Sequence, residues 1–282
     1  MKIFSLKTDL QNYVNTLRSE NNTIGFVPTM GCLHKGHLAL IEKAASENNI
    51  VICSIFVNPI QFNNKNDFQK YPRTLDDDIA KLNALGCDIL FVPSEKEIYP
   101  EIANEKFDLK GLDKVMEGKF RQGHFNGVVT VVNRLFNIVG DCNAYFGEKD
   151  YQQLTIIKYI TDKLKLNVNI CSCKTVRETD GLAMSSRNIL LNSEQRKVAS
   201  LIYNSLIFVK ENIKKFSAPE LKEIITQKIN SNPLFRIEYV EIAHKDSLVA
   251  VDDKISNPEL FRCFIAAYLG NVRLIDNMAL TD

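Results

Sequence analysis

The sequence lacks any apolar run near the roughly 20 residues that a membrane-spanning helix needs. Its longest strongly apolar run, Ile50 to Val57, falls far short, so no segment is expected to cross a bilayer. It also lacks an excess of either charge: 35 Lys and Arg face 34 Asp and Glu, for a net charge of +1. Such a chain has no long-range field to draw in nucleic acid or anionic lipid, and any anion it binds must be held locally. Met1 to Leu10 meets Lys7 and Asp9 before any apolar stretch of leader length, which reads as cytoplasmic. There is no Cys-x-x-Cys among the seven cysteines, and Cys171 and Cys173 have neither a second pair nor a nearby His. Buried reduced thiols are the expectation. No repeat, low-complexity tract or flexible linker is present.

What is present is enough apolar material for a large core, with 282 residues of which 45% are hydrophobic and 24% charged. Single cores stop growing near about 250 to 300 residues, so one large domain with a smaller docked companion is expected, divided as 1–173 and 174–282. In the first part, short β-branched runs alternate with helical patterns, the arrangement of an α/β parallel sheet covered by helices. The expected strands are Thr23 to Val27, Ile50 to Val57, Ile89 to Val92, Ala144 to Phe146 and Val168 to Cys171. The expected helices are Gly36 to Glu47, Leu75 to Leu85, Val128 to Ile138, Tyr151 to Leu164 and Ser193 to Lys214. The remainder mixes helices with strands at Ile237 to Ala243 and Cys263 to Tyr268.

The first informative site follows the first strand: Pro28, Thr29, Met30, Gly31, Cys32, Leu33, His34, Lys35, Gly36, His37, then a helical pattern. Strand, glycine turn and helix start make an anion site, where backbone N–H groups and the positive end of the helix dipole meet the ligand. Gly31 and Gly36 match the glycine spacing of a P-loop, but His37 and Leu38 stand where that motif needs Lys and Ser or Thr. The hydroxyl that would ligate magnesium is missing. His34 and His37 fall on one side of the incipient helix, where two imidazoles suit phosphate oxygens or a shared metal. Zinc needs more ligands and only Cys32 is close in sequence, while two unrelated surface histidines are the blander alternative. With two of only four histidines at a helix-start anion site, phosphate is the favoured reading.

Pro28-Thr29-Met30-Gly31 followed by His34-Lys35-Gly36-His37 resembles the first signature of the pantothenate synthetase family. Further strings follow in the family's order: Phe56 to Phe62, Tyr71-Pro72-Arg73-Thr74, Gly123-His124-Phe125, Phe146 to Gln153, Asp180 to Asn188, and Leu274-Ile275-Asp276-Asn277. They cover nearly the whole chain. The resemblance implies a Rossmann-like nucleotidyltransferase domain with a parallel sheet, a smaller α+β C-terminal domain and a homodimer. It also implies ATP-dependent joining of pantoate to β-alanine, with Mg2+ accompanying ATP, and no nucleic-acid or membrane partner. ATP contacts are implied for Met30, Gly31, His34, Gly36 and His37 in the first block, and for Val176 beyond the sheet.

Each remaining block also has a reading of its own. Pro59 ends an apolar strand, so Asn58 and Gln61 lie on the loop at a strand's carboxyl end, where open α/β sheets bind ligands. Uncharged amides hold hydroxyls and a carboxylate without neutralising it, although a plain turn bonding its own backbone explains the same residues. The resemblance assigns pantoate to Gln61 and Gln153, with Asn58 beside them. Gly147, Glu148, Lys149 and Asp150 repeat the glycine turn before a helix, with Asp150 as N-cap, and an exposed turn with ordinary charges is the alternative. By resemblance this block contacts ATP, with Lys149 as a cation on the phosphates. Met184, Ser185, Ser186 and Arg187 resemble the mobile Lys-Met-Ser-Lys-Ser loop of class I aminoacyl-tRNA synthetases, and hydroxyls, N–H groups and a guanidinium fork suit a triphosphate. Alone the string is an ordinary loop; paired with the histidine block it marks an adenylate-forming superfamily.

Arg121 and His124 are expected to add positive charge above the substrate, with Gln122 standing where the family usually has proline, a change that removes a fixed φ. Ile60 stands where many relatives have methionine, a swap close in volume. Asp77 and Asp78 are the expected magnesium positions, against the reading that Asp76, Asp77 and Asp78 simply complement a helix dipole. His34, His37, Lys149 and Arg187 are the expected catalytic donors in one pocket, His37 as a protonated imidazole that assists pyrophosphate departure. Three rivals stand beside the ligase: a nucleotidyltransferase with a dinucleotide-like product, an aminoacyl-tRNA synthetase relative that would need a basic face, and a nucleotide sensor with no use for two carboxylate-holding glutamines.

Overall fold

A strand that is apolar at nearly every position belongs inside a sheet covered on both faces, and Ile50–Ile55 (β3), with Ser54 its one polar residue, is such a strand. The computed structural model describes residues 1–63 and 65–281, with the side chains of 65–67 outside the description. Beside β3 stand Lys2–Phe4 (β1), Ile24–Thr29 (β2), Ile89–Phe91 (β4), Cys142–Gly147 (β5) and Val168–Cys173 (β6). All six run parallel in the order β1-β4-β3-β2-β5-β6. From β2 the chain winds outward through β3 to β4, then returns to lay β5 and β6 on the other side of β2. The reversal lies between β2 and β5, and crevices at such reversals, outside the carboxyl ends of the strands, are where open sheets take ligands. Met30 to His37 follows β2, Asn58 to Gln61 follows β3, and Glu148 to Asp150 follows β5.

The helix Lys35–Glu47 turns Leu40, Ile41 and Ala44 into a core with Val27, Val51, Cys53 and Leu90. The helix His124–Val139 is buried on nearly every side because its sequence is apolar on nearly every side. It begins four residues before the expected Val128, entered through Gly123 at φ +80°. By packing, the chain divides into two units, Met1–Glu148 with Gln152–Lys174, and Lys149–Tyr151 with Thr175–Asp282. The second unit holds an antiparallel sheet of Phe235–His244 (β7), Phe261–Leu269 (β8) and Val272–Ala279 (β9), in the order β7-β8-β9. The helices Leu201–Asn212 and Ala218–Asn230 share a core with it through Leu206, Val209, Leu221, Ile225, Ile242 and Ile265.

Most expected elements are present with ends shifted by a residue or two. The expected single helix Ser193 to Lys214 is two helices, Ser193–Val198 and Leu201–Asn212. Around Ala199 the hydrogen bonds slip to the tighter i to i+3 spacing, from Ala199 N to Arg196 O and from Ile202 N to Ala199 O, both 3.4 Å. Among the described residues no helix is long and apolar enough to cross a membrane.

All seven cysteines are thiols, four of them buried, while Cys32, Cys142 and Cys171 are half-buried rather than buried as expected. Burial pushes the thiols of Cys87 and Cys173 up to about 11 and that of Cys142 up to about 12. A thiol-exchange reagent at neutral pH should therefore label the native chain far more slowly than free cysteine, whose value is about 8.5. In denaturant all seven should react; recovery of only five would mean a disulfide and refute the assignment.

Candidate active site

Two consecutive left-handed residues, Gly31 at φ +79° and Cys32 at φ +51°, open the histidine loop. For a non-glycine residue that conformation costs roughly 1 to 2 kcal/mol, so something must hold Cys32 there. The holder is Asp78, fully buried, whose Oδ2 accepts from Cys32 N at 2.8 Å and whose Oδ1 accepts from Leu33 N at 2.7 Å. Thr74 Oγ1 donates to the same carboxylate at 3.2 Å, and Lys81 Nζ donates to Leu33 O at 2.8 Å. One helix, Leu75–Ala84, thus grips the loop by both its N–H groups and its carbonyl. On the other side Thr29 Oγ1 donates to Ser54 O at 2.8 Å and accepts from Gly31 N at 3.2 Å.

This geometry corrects one expectation. The N–H groups of Cys32 and Leu33 face an internal carboxylate rather than a bound anion. Of the two carboxylates expected at magnesium, Asp78 holds the loop and Asp77 pairs with Lys81 at 2.6 Å on the surface. No cluster of three His, Cys, Asp or Glu suited to a metal occurs among the described residues.

His34 is the N-cap of the Lys35–Glu47 helix, and the two histidines cap reciprocally. His34 Nδ1 accepts from Gly36 N at 3.1 Å, and His37 Nδ1 accepts from His34 N at 3.3 Å. The rings stack with centroids 4.0 Å apart. A nitrogen that accepts a hydrogen bond carries no proton there, so the cap uses the unprotonated Nδ1 of each ring.

Asn58 and Gln61 also divide their roles. Asn58 is 1% exposed and its amide is engaged within the protein: Nδ2 donates to Gln61 Oε1 at 3.0 Å and to Gly127 O at 3.1 Å, while Oδ1 accepts from Tyr99 Oη at 2.7 Å. Burial pushes the Tyr99 phenol up and keeps it a donor. Asn58 thus orients Gln61. Gln61 Nε2 donates to Met30 Sδ at 2.8 Å, which joins the glutamine loop to the histidine loop, and the amide has a second N–H to offer. His124 is buried, with Nδ1 donating to Gln61 O at 2.8 Å, and Arg121 lies 3.6 Å from Glu117. Both were expected as charge above the substrate; one fixes a backbone and the other is compensated. Gly127 admits no side chain, because a Cβ there would meet Ile60 O at 2.5 Å. Asn63 donates to Gln122 O, so the position lacking proline is tied by a hydrogen bond instead. Ile60 is 40% exposed, so a methionine in its place would lose little packing.

Gly147 and Glu148 are half-buried at the end of β5, and Gln153 is half-buried in the helix Tyr151–Lys163. Its neighbour Gln152 is buried, accepting from Glu117 N at 3.0 Å and donating to Leu112 O at 2.7 Å and Val115 O at 2.8 Å. In the second unit Lys149 Nζ lies 3.5 Å from Asp150 Oδ1. Val176 O accepts from Met184 N at 3.0 Å, and Ser185 caps the turn Ser186–Leu190 by accepting from Arg187 N at 3.2 Å.

The model of the Pantoate-beta-alanine ligase family matches residues 2–279. The chain belongs to that family. Pantoate-beta-alanine ligases similar to it include the pantothenate synthetase of Flavobacterium psychrophilum, 44% identical over 99% of this chain and 100% of that one. That of Azobacteroides pseudotrichonymphae is 47% identical over 99% of both chains. A crystal structure of pantothenate synthetase from Thermus thermophilus superposes with a TM-score of 0.91 at 40% identity over all of both chains. The pantoate-beta-alanine ligase of Francisella tularensis, solved with beta-gamma ATP and beta-alanine, gives a TM-score of 0.82 at 40% identity over 99% of this chain and 98% of that one.

The Asp78 clamp is testable by Asp78→Asn, which keeps the shape and removes the charge. One buried N–H then faces an NH2 group, and the loss expected is about 2 to 4 kcal/mol in denaturant unfolding. A loss below about 0.5 kcal/mol, typical of a surface change, would show that the loop holds itself.

Proposed function

We infer that the chain's histidine, glutamine and Ser185 loops carry out the family's ATP-dependent ligation of pantoate to β-alanine. The observation that carries this is the reciprocal cap that sets His34 and His37 side by side at a helix start, behind a glycine turn on the carboxyl end of β2. We assign Met30, Gly31, His34, Gly36, His37, Gly147, Glu148, Lys149, Asp150, Val176, Met184, Ser185, Ser186 and Arg187 to ATP. Gln61 and Gln153 are assigned to pantoate.

In the first step pantoate's carboxylate attacks the α-phosphorus of Mg-ATP in line, giving pantoyl adenylate and pyrophosphate. In the second the amine of β-alanine attacks the activated carbonyl and AMP leaves. No protein nucleophile takes part. Glutamine amides orient the carboxylate without a positive charge that would weaken it as a nucleophile. Alignment of reactants supplies roughly 7 to 11 kcal/mol, and fixed donors on developing phosphate charge supply the other large share. His34 and His37 act as hydrogen-bond donors, and the positive charge comes from Lys149 and Arg187. Magnesium is proposed to arrive on the nucleotide's phosphates, with pantothenate made in the cytoplasm by a homodimer that needs neither nucleic acid nor membrane.

Replacing His37 tests the donor role. His37→Ala should lower pantoate-dependent pyrophosphate exchange about 10²- to 10³-fold with the fold intact. His37→Gln should keep a substantial part, because glutamine at this position both caps the helix and donates. Equal loss in the two variants would instead require a proton from the imidazole. Gln61→Ala and Gln153→Ala should each raise KM for pantoate far more than KM for ATP; an equal rise in both would make the amides loop supports.

A further inference from the structure

The string Leu274-Ile275-Asp276-Asn277 has no place in the reaction just described, yet it puts two buried polar residues side by side on β9. Asn277, 3% exposed, accepts from Arg262 Nε at its Oδ1, 3.0 Å away, and its Nδ2 donates to the carbonyl of Lys149 at 2.9 Å. Arg262 is itself fixed, its guanidinium 3.9 Å from the ring centroid of Tyr151. The amide of Asn277 thus cannot turn over without losing both partners. It pins the backbone of the residue whose ammonium is assigned to the phosphates.

Asp276 does the matching work for the other phosphate segment. It receives Arg177 in a bidentate pair, Nη1 to Oδ2 at 2.6 Å and Nη2 to Oδ1 at 3.0 Å. Arg177 stacks over Tyr203 at 4.6 Å and donates from Nη1 to Gly181 O at 2.9 Å. Residues 176–184 form a tight hairpin, with Glu178 N donating to Leu182 O at 2.8 Å and Met184 N to Val176 O at 3.0 Å. Gly181 has no room for a side chain against Tyr203, where a Cβ would lie 2.0 Å from the ring. Asn188 Nδ2 donates to Ala183 O at 3.1 Å, and β9 lies against the Ser186–Leu190 turn. The hairpin leads straight into Ser185 and Arg187.

We propose that Asp276 and Asn277 together are a positioning frame for the adenylation step, in which two adjacent residues of β9 hold Lys149 and the Ser185–Arg187 turn in a fixed mutual register. The frame rests on the assignment of Lys149 and Arg187 to the triphosphate. Its effect is confined to the step in which pyrophosphate must be held and released. Attack of β-alanine on pantoyl adenylate has no pyrophosphate left to position.

Asp276 is a poor probe, because removing one partner of a buried pair strands the other charge. Asn277 is the better one. Asn277→Asp keeps the acceptor for Arg262 and turns a carboxylate oxygen toward the Lys149 carbonyl; Asn277→Ala removes both bonds. Each should raise KM for ATP and lower pyrophosphate exchange by about tenfold or more, the usual result of losing a buried hydrogen bond at a charged site. Conversion of supplied pantoyl adenylate with β-alanine should change by less than about twofold. A parallel fall in both half-reactions, or no fall in either, overturns the proposal, and thermal unfolding of each variant shows whether a parallel fall comes from lost fold. Lys149→Met separates the two levels. Normal exchange in that variant removes the reading of Lys149 and the frame with it, whereas loss of exchange there but not in the Asn277 variants overturns the frame alone.

Discussion

A buried carboxylate placed where an anion site was expected sets the conformation of the histidine loop. Asp78 takes the N–H groups of Cys32 and Leu33, and only with both bonds formed does a cysteine stay in the left-handed region beside Gly31. That turn delivers His34 to the first cap position of its helix, from which the reciprocal hydrogen bonds with His37 follow. The protein thus keeps a carboxylate of its own against the loop. Local strain, an internal counter-group and a histidine cap form one causal chain, consistent with strained backbone being held by its surroundings at functional sites.

The glutamine loop is built on the same plan with neutral groups. Asn58, His124 and Gly127 converge on Gln61 from a strand end and a helix, each with one hydrogen bond or one close approach, and Tyr99 holds Asn58 in turn. The Met30 sulfur carries this order across to the histidine loop. Residues that touch a substrate are few in such a design, while the residues that aim them are numerous and deeply buried.

The parallel sheet, most of its strands and the motif loops are legible in the sequence because apolar runs and glycine turns leave local signals. β1 is not, being three residues long and mostly exposed, and β9 is not, because Asp276 and Asn277 stand where an apolar alternation would have marked a strand. The same two polar residues that hide the strand give it its role. The charge of Asp78 is plain in the sequence but its use is not, since only the fold reveals that its carboxylate points at Cys32 rather than into solvent. Gln152 and Gln153 are indistinguishable as letters; helix phase buries one and leaves the other half-exposed. Proline spacing places Asn58 correctly on a strand's carboxyl end, but whether an amide there faces a ligand or a neighbour depends on Tyr99 and Gly127, which are remote in sequence.

Cys32 sits two residues before His34, a place where alkylation by an electrophile would be expected to disable the enzyme. Burial and the nearby Asp78 charge raise the pKa of that thiol, and thiol reactivity depends on the ionised form. The carboxylate that shapes the loop therefore also lowers the thiolate fraction of its cysteine, and slows alkylation and oxidation there to the same degree.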